Sequence, residues 1–280
     1  MKNRLIPLTA LAGGAAALAL RLLQLKTGYE ADTGLPAPGS GIALAVLLAI
    51  LAAVLVLFSL RLPAEAKDGP VFPRDFATEN TGLLALTVAG LFLIAASGAL
   101  DIFAGAASSD IPQEEGLVTL FILTPQVRIL LGALALISAV SLLPAATACR
   151  KRPEETDFSG TPMLAAPICM VVRLVLAYRL ESMNPVLGDY YLSLLALVFL
   201  TLTFYRLSSF AYQAGQTRRF VLYAAGAAVT CVAALADSHA LPDKLLYLGG
   251  ALASMGFLLL RLEGPEVPAA ENCDGKTEQE

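Results

Sequence analysis

The sequence predicts an all-α integral membrane protein, a polytopic bundle of about eight transmembrane helices. Three observations carry that expectation. Of 280 residues, 57% are hydrophobic and only 15% are charged, with a mean hydropathy of +0.70; a soluble domain carries about 25% charged residues. The apolar residues fall in runs of about 20, the length that crosses a hydrocarbon core ~30 Å thick. Lysine and arginine gather in alternate loops, as the positive-inside rule requires of a multi-pass chain.

Taken in order, the first apolar run covers 5–25 behind Lys2 and Arg4. A positive start before apolar residues invites a signal-peptide reading, but this run is long for a signal core and contains Arg21. It is read as an uncleaved first helix. A Gly/Pro-rich loop (27–40) leads to the second span, 41–60, and a polar loop (61–80) to the third, 81–103, with Asp101 in its last turn. The loop that follows holds Asp110, Glu114 and Glu115 and no basic residue. Residues 116–123 are apolar but too short to span, and suit an interfacial or re-entrant position. Thr124-Pro125 opens the fourth span, to about 148, with Pro144 placed to bend or end it. The fifth opens at Thr161, a cap, with Pro162 at the first helical position, where the missing amide costs nothing. Spans six to eight cover 189–210, 217–236 and 242–262. The whole of 1–262 is thus one transmembrane domain, and the polar, proline-containing tail, 263–280, is expected to be disordered.

With the N-terminus inside, the inner segments hold Lys2, Arg4, Arg61, Lys67, Arg74, Arg150, Lys151, Arg152, Arg206, Arg218, Arg219, Arg261 and Lys276, thirteen of the 19 basic residues. That asymmetry predicts both termini on the cytoplasmic side of the membrane, which is expected to be a plasma membrane. Tyrosines agree, with Tyr29, Tyr178, Tyr190, Tyr191 and Tyr247 near the outer surface and Tyr205, Tyr212 and Tyr223 near the inner one. The chain resembles in general make-up the small Ala/Leu-rich polytopic proteins of bacterial plasma membranes.

Charged residues at corresponding helix ends suggest a parallel repeat of 1–149 on 161–262. It pairs Arg21 with Arg179, Arg61 with Arg206, Asp101 with Asp237, and Arg128 with Lys244. Ala/Leu-rich spans align readily, so the alternative of chance matching stays open.

The candidate site gathers around Arg173. Eleven residues from Pro162 place it roughly 16–17 Å along its helix, near the bilayer midplane. A charge there costs at least ~2.5–3.5 kcal/mol on insertion scales and needs a partner. Asp101 and Asp237 close their helices on the outer side, and their side chains lean back toward Arg173. Its counter-charge is therefore one of these aspartates, a set of hydroxyls and carbonyls, or a bound anion. A depth difference of roughly 10 Å makes either aspartate a long reach. Arg21 and Arg179 are expected to snorkel to the outer headgroups. The candidate ligand-binding set is thus Arg173, Asp101, Asp237, Arg179 and Arg21.

No catalytic, metal or cofactor site is expected. His239 is the single histidine, which excludes a zinc site built on two or three. There is no Gly-x-Ser-x-Gly elbow. Glu114-Glu115 lacks the downstream partners of an intramembrane glutamate protease, and neither Asp101 nor Asp237 sits in a Gly-x-Gly-Asp context. Asp274-Gly-Lys-Thr lacks the upstream glycine of a phosphate loop. The four cysteines share no ligand spacing and read as packing residues. No basic soluble domain exists to bind nucleic acid. Two functions remain, each with the lipid bilayer as its surroundings: a carrier for a small anionic or ionic substrate, or a non-catalytic regulatory, sensor or accessory subunit with a membrane-protein partner or a second copy of itself.

Overall fold

The computed structural model describes residues 5–29, 37, 39–62, 72–108, 125–150, 160–181, 190–237 and 240–263. These form α1 (Leu5–Thr27), α2 (Ile42–Leu60), a single turn α3 (Phe72–Asp75), α4 (Thr81–Ser108), α5 (Pro125–Ala148), α6 (Ala165–Glu181), α7 (Tyr191–Ala211), α8 (Thr217–Ala234) and α9 (Leu241–Glu263). A 3-10 turn, Thr161–Leu164, leads into α6 and makes the expected Thr-Pro start a tighter one. The short apolar segment 116–123, the Glu114-Glu115 pair, His239 and the tail beyond 263 lie outside the described residues.

Seven of these helices are long and apolar enough to cross a membrane, the fifth of them counted from Thr161 through Arg179. Each buries only part of its surface within the protein, and α2 faces outward along most of its length, with Ile42, Val46, Ile50, Leu57 and Leu60 exposed. Such surfaces are tolerable only in lipid. The chain is therefore a multi-pass membrane protein. The eighth long helix, α8, carries Arg218 and Arg219 in its first turn and is 18 residues long. Most of its residues are buried against protein, so its surroundings are supplied by neighbouring helices.

Packing runs α8 to α9, α4, α5, α6, α7 and back to α8, a closed circuit of six helices. Helix α1 packs on α8, and α2 lies against α1 and α8 outside the circuit. Helix α4 is held on both sides by direct backbone approach. A Cβ on Gly98 would come 2.5 Å from the Gly132 carbonyl of α5, and one on Gly249 of α9 would come 2.7 Å from the Gly90 carbonyl. In lipid, where apolar burial between helices gains little, small residues that admit such contact are what bring helices together.

Helix α5 ends at Ala148 as expected, with Pro144 inside it. One boundary differs: α4 runs on to Ser108, so Asp101 lies seven residues, roughly 10 Å, before its end rather than in its last turn. The sequence Ala-Gly-Ala-Ala after Phe103 offers no stop signal, and the helix simply continues.

Part of the loop expected to be polar, from residue 72 on, also carries residues of the core. Phe72 and Phe76 are buried, stacked at 4.7 Å, and the Phe76 ring meets Phe210 of α7 at 5.2 Å and Phe220 of α8 at 5.6 Å. Arg261 caps this aromatic cluster, its guanidinium over Phe210 at 5.8 Å and donating to Thr217 Oγ1 at 2.9 Å. A parallel repeat would match the α1–α8 contact with one between α6 and α4, and α4–α9 with α8–α5. Only the first of each pair packs extensively, so helix packing does not confirm the repeat.

Candidate functional site

At the end of the bundle opposite the aromatic cluster, two arginines are buried among three aspartates. Arg173 comes from α6, where Ala166, Met170 and Arg173 are all buried, in line with Met163 of the turn before it. Their spacing of three, four and three residues is one helical stripe, and it turns the arginine toward the interior with its apolar neighbours. Arg173 Nη2 donates to Asp243 Oδ1 at 2.8 Å and to Asp101 Oδ2 at 3.3 Å, and Nη1 donates to the same Asp101 oxygen at 3.4 Å. The reach to Asp101 is short because α4 is longer than expected, which sets Asp101 deeper. Asp243 stands in the first turn of α9, where a carboxylate also favours the positive end of the helix dipole. Arg173 thus lies level with the start of α9, toward one end of the bundle rather than at its middle. The Asp101 side chain is 8% exposed and that of Asp243 40%, so the cluster reaches from the interior to a rim.

Arg21 does not snorkel. Its side chain is 1% exposed, and its Nε donates to Asp237 Oδ1 at 2.6 Å. Nη1 donates to Gln24 Oε1 at 3.1 Å, and the guanidinium lies over the Tyr191 ring at 5.7 Å. The cause is register on α1: Ala10, Gly14, Ala17, Arg21 and Gln24 are all buried. Gly14 of this stripe meets Val229 and Val232 of α8. An arginine in the packed stripe must pair in place, and Asp237, held in the turn after α8 by the hydrogen bond its backbone N–H donates to the Ala234 carbonyl, is at hand. Asp237 therefore serves Arg21, not Arg173.

Helix α7 joins the two arginine sites. Tyr191 covers Arg21, and two residues on, Ser193 shares a hydrogen bond with the buried hydroxyl of Tyr247, which lies near both Asp243 and Arg173. Arg128, in the first turn of α5, faces Asp101 electrostatically. Arg179 sits in the last turn of α6, exposed, six residues beyond Arg173. The ion pairs connect α1 to the end of α8 and α6 to α4, the exchange a two-fold repeat would make, though with Arg173 standing where the sequence alignment put Arg179.

Of the five sequence-derived candidates, the structure joins Arg173 to Asp101 and Arg21 to Asp237, and sets Arg179 apart at the surface. Asp243 was missed. Its position after Leu241-Pro242 has an ordinary explanation as a helix-start acid, and no local pattern announces a partner 70 residues away. The signal for Arg21 was present in the small-residue stripe that precedes it. Among the described residues, no group of three or more His, Cys, Asp or Glu converges as metal ligands would. Comparison with protein-family models, with curated proteins and with solved structures found no match.

Proposed function

We propose that this chain is a carrier of a bacterial-type plasma membrane, with both termini cytoplasmic, whose polar site is the Arg173 cluster. One observation carries the reading: a buried arginine is shared by carboxylates from two other helices, and one of those carboxylates is open at the rim. Ionisable groups within membrane helices face partners or pathways, and a set that runs from the interior to the surface suits a species that enters and leaves. The guanidinium is already engaged by two carboxylates, which favours a cationic or neutral polar substrate over an anion. Arg21 and Asp237 form the fixed wall beside this site, and Arg179 lies outside it.

A second reading, an accessory subunit, is favoured by the glycine contacts that lock α4 against α5 and α9. The two separate on substrate. Small cations, amino acids, sugars and organic acids are screened for thermal stabilisation of the detergent-solubilised protein, since a ligand that binds only the folded state raises its melting temperature. Any stabilising compound is then offered to proteoliposomes. The carrier reading expects one class to stabilise the wild type but not Asp243→Asn, and to accumulate in vesicles. Vesicles with folded protein that take up none of these compounds would support the accessory role instead.

A further inference from the structure

The charges at Arg173 do not balance. An arginine side chain keeps its charge at any ordinary pH, so the site holds one fixed cation. Two carboxylates converge on a single nitrogen of it, Asp243 at 2.8 Å and Asp101 at 3.3 Å. The shorter contact goes to the more exposed partner, and the longer one to the carboxylate that is shut away from water. If both acids ionise, a surplus negative charge is left where solvation is poorest, an arrangement that protein interiors avoid by binding a proton.

We propose that Asp101 is a proton-binding site, carrying on its carboxyl a proton exchanged with water at the Asp243 rim. Protonation leaves a neutral triad of Asp101 carboxylic acid, Arg173 guanidinium and Asp243 carboxylate. The step is a simple one: an O–H bond forms on Asp101 as hydronium gives up its proton, and the reverse returns it. Both contacts from Arg173 use Asp101 Oδ2, so Oδ1 remains for the proton.

A second observation points the same way. Ser97 lies one turn before Asp101 on the same face of α4, fully buried, and its hydroxyl has no hydrogen-bond partner among the described residues. Side chains on a helix lean toward its N-terminus, so Asp101 tilts toward that hydroxyl. A buried hydroxyl left without a partner is costly unless a water or an acid proton meets it. The remaining groups facing Asp101 do not remove the surplus. Arg128 on α5 is half-buried and keeps access to solvent, so its charge is met by water as well as by Asp101.

This inference deepens the carrier reading by naming its coupling ion, a proton, but its test needs no substrate, so the two fail separately. Infrared spectra of the full chain in proteoliposomes are recorded across neutral and alkaline pH in water and heavy water. The wild type is expected to show a protonated-carboxyl C=O band at neutral pH that shifts with deuterium and fades as pH rises. Asp101→Asn mimics the neutral acid, keeps the fold and loses the band. Asp243→Asn leaves Arg173 and Asp101 matched one to one, so Asp101 ionises and the band is lost there too. A folded wild type with no such band, or a band that survives Asp101→Asn, would overturn the proposal.

Discussion

Arg21 and Arg173 are both buried at the same end of the same bundle, yet their surroundings differ in kind. Among the described residues, Arg21 meets the Asp237 carboxylate at 2.6 Å, with Gln24 and the Tyr191 ring beside it. Its charge is matched, and the site is sealed, with side-chain exposures of 1% and 4%. Arg173 meets two carboxylates at longer or more exposed contacts, and the cluster opens at Asp243. A sealed pair has nothing to exchange with solvent and serves to fix α1 against the end of α8. An overmatched and open cluster holds a charge that must be neutralised from outside. The difference teaches that burial of an arginine does not by itself mark function; the ratio of partners and the access to water do.

The comparison can be broken most directly by orphaning each arginine. Asp237→Ala removes the carboxylate that Arg21 meets at 2.6 Å and should destabilise the protein by about 3–5 kcal/mol, the usual cost of stranding a buried charge. Asp101→Ala leaves Arg173 still paired with Asp243 and should cost less, about 1.5–3 kcal/mol, the worth of a hydrogen bond to a charged group. Thermal or denaturant unfolding in detergent reads both, and equal losses would erase the distinction between the sites.

A smaller effect sharpens it. Gly98→Ala puts a methyl group against the Gly132 carbonyl and pushes α4 away from α5, at a cost of about 1–3 kcal/mol. Because α4 carries Asp101 and has no part in the Arg21 pair, this variant should alter the carboxyl infrared band while leaving the effect of Asp237→Ala unchanged.

The helices themselves were legible in the sequence. In α2, α7 and α9, runs of apolar residues ended by charges or turn residues give boundaries within one or two positions of those observed. The end of α4 was not legible, because small residues neither favour nor forbid another turn. That Arg173 needs a partner was foreseeable from cost alone, with Asp101 one candidate beside Asp237, hydroxyls and carbonyls, or a bound anion. Which aspartate each arginine takes depends on α1 packing against α8 and on the circuit of helices that brings Arg173 of α6 to Asp101 of α4, contacts between segments far apart in the chain that local pattern does not encode. The same holds for Phe72 and Phe76, whose loop reads as polar on average although two of its rings belong to the core of the far end.

A pair of double-mutant cycles on thermal stability in detergent tests the central contrast most directly. One combines Arg21→Met with Asp237→Ala, and the other Arg173→Met with Asp101→Ala. Contacting residues show coupling of about 0.5–3 kcal/mol. The account predicts a value near the top of that range for Arg21 and Asp237, and one near the bottom for Arg173 and Asp101, where Asp243 takes up the load. Equal couplings, or the stronger one at Arg173, would contradict it.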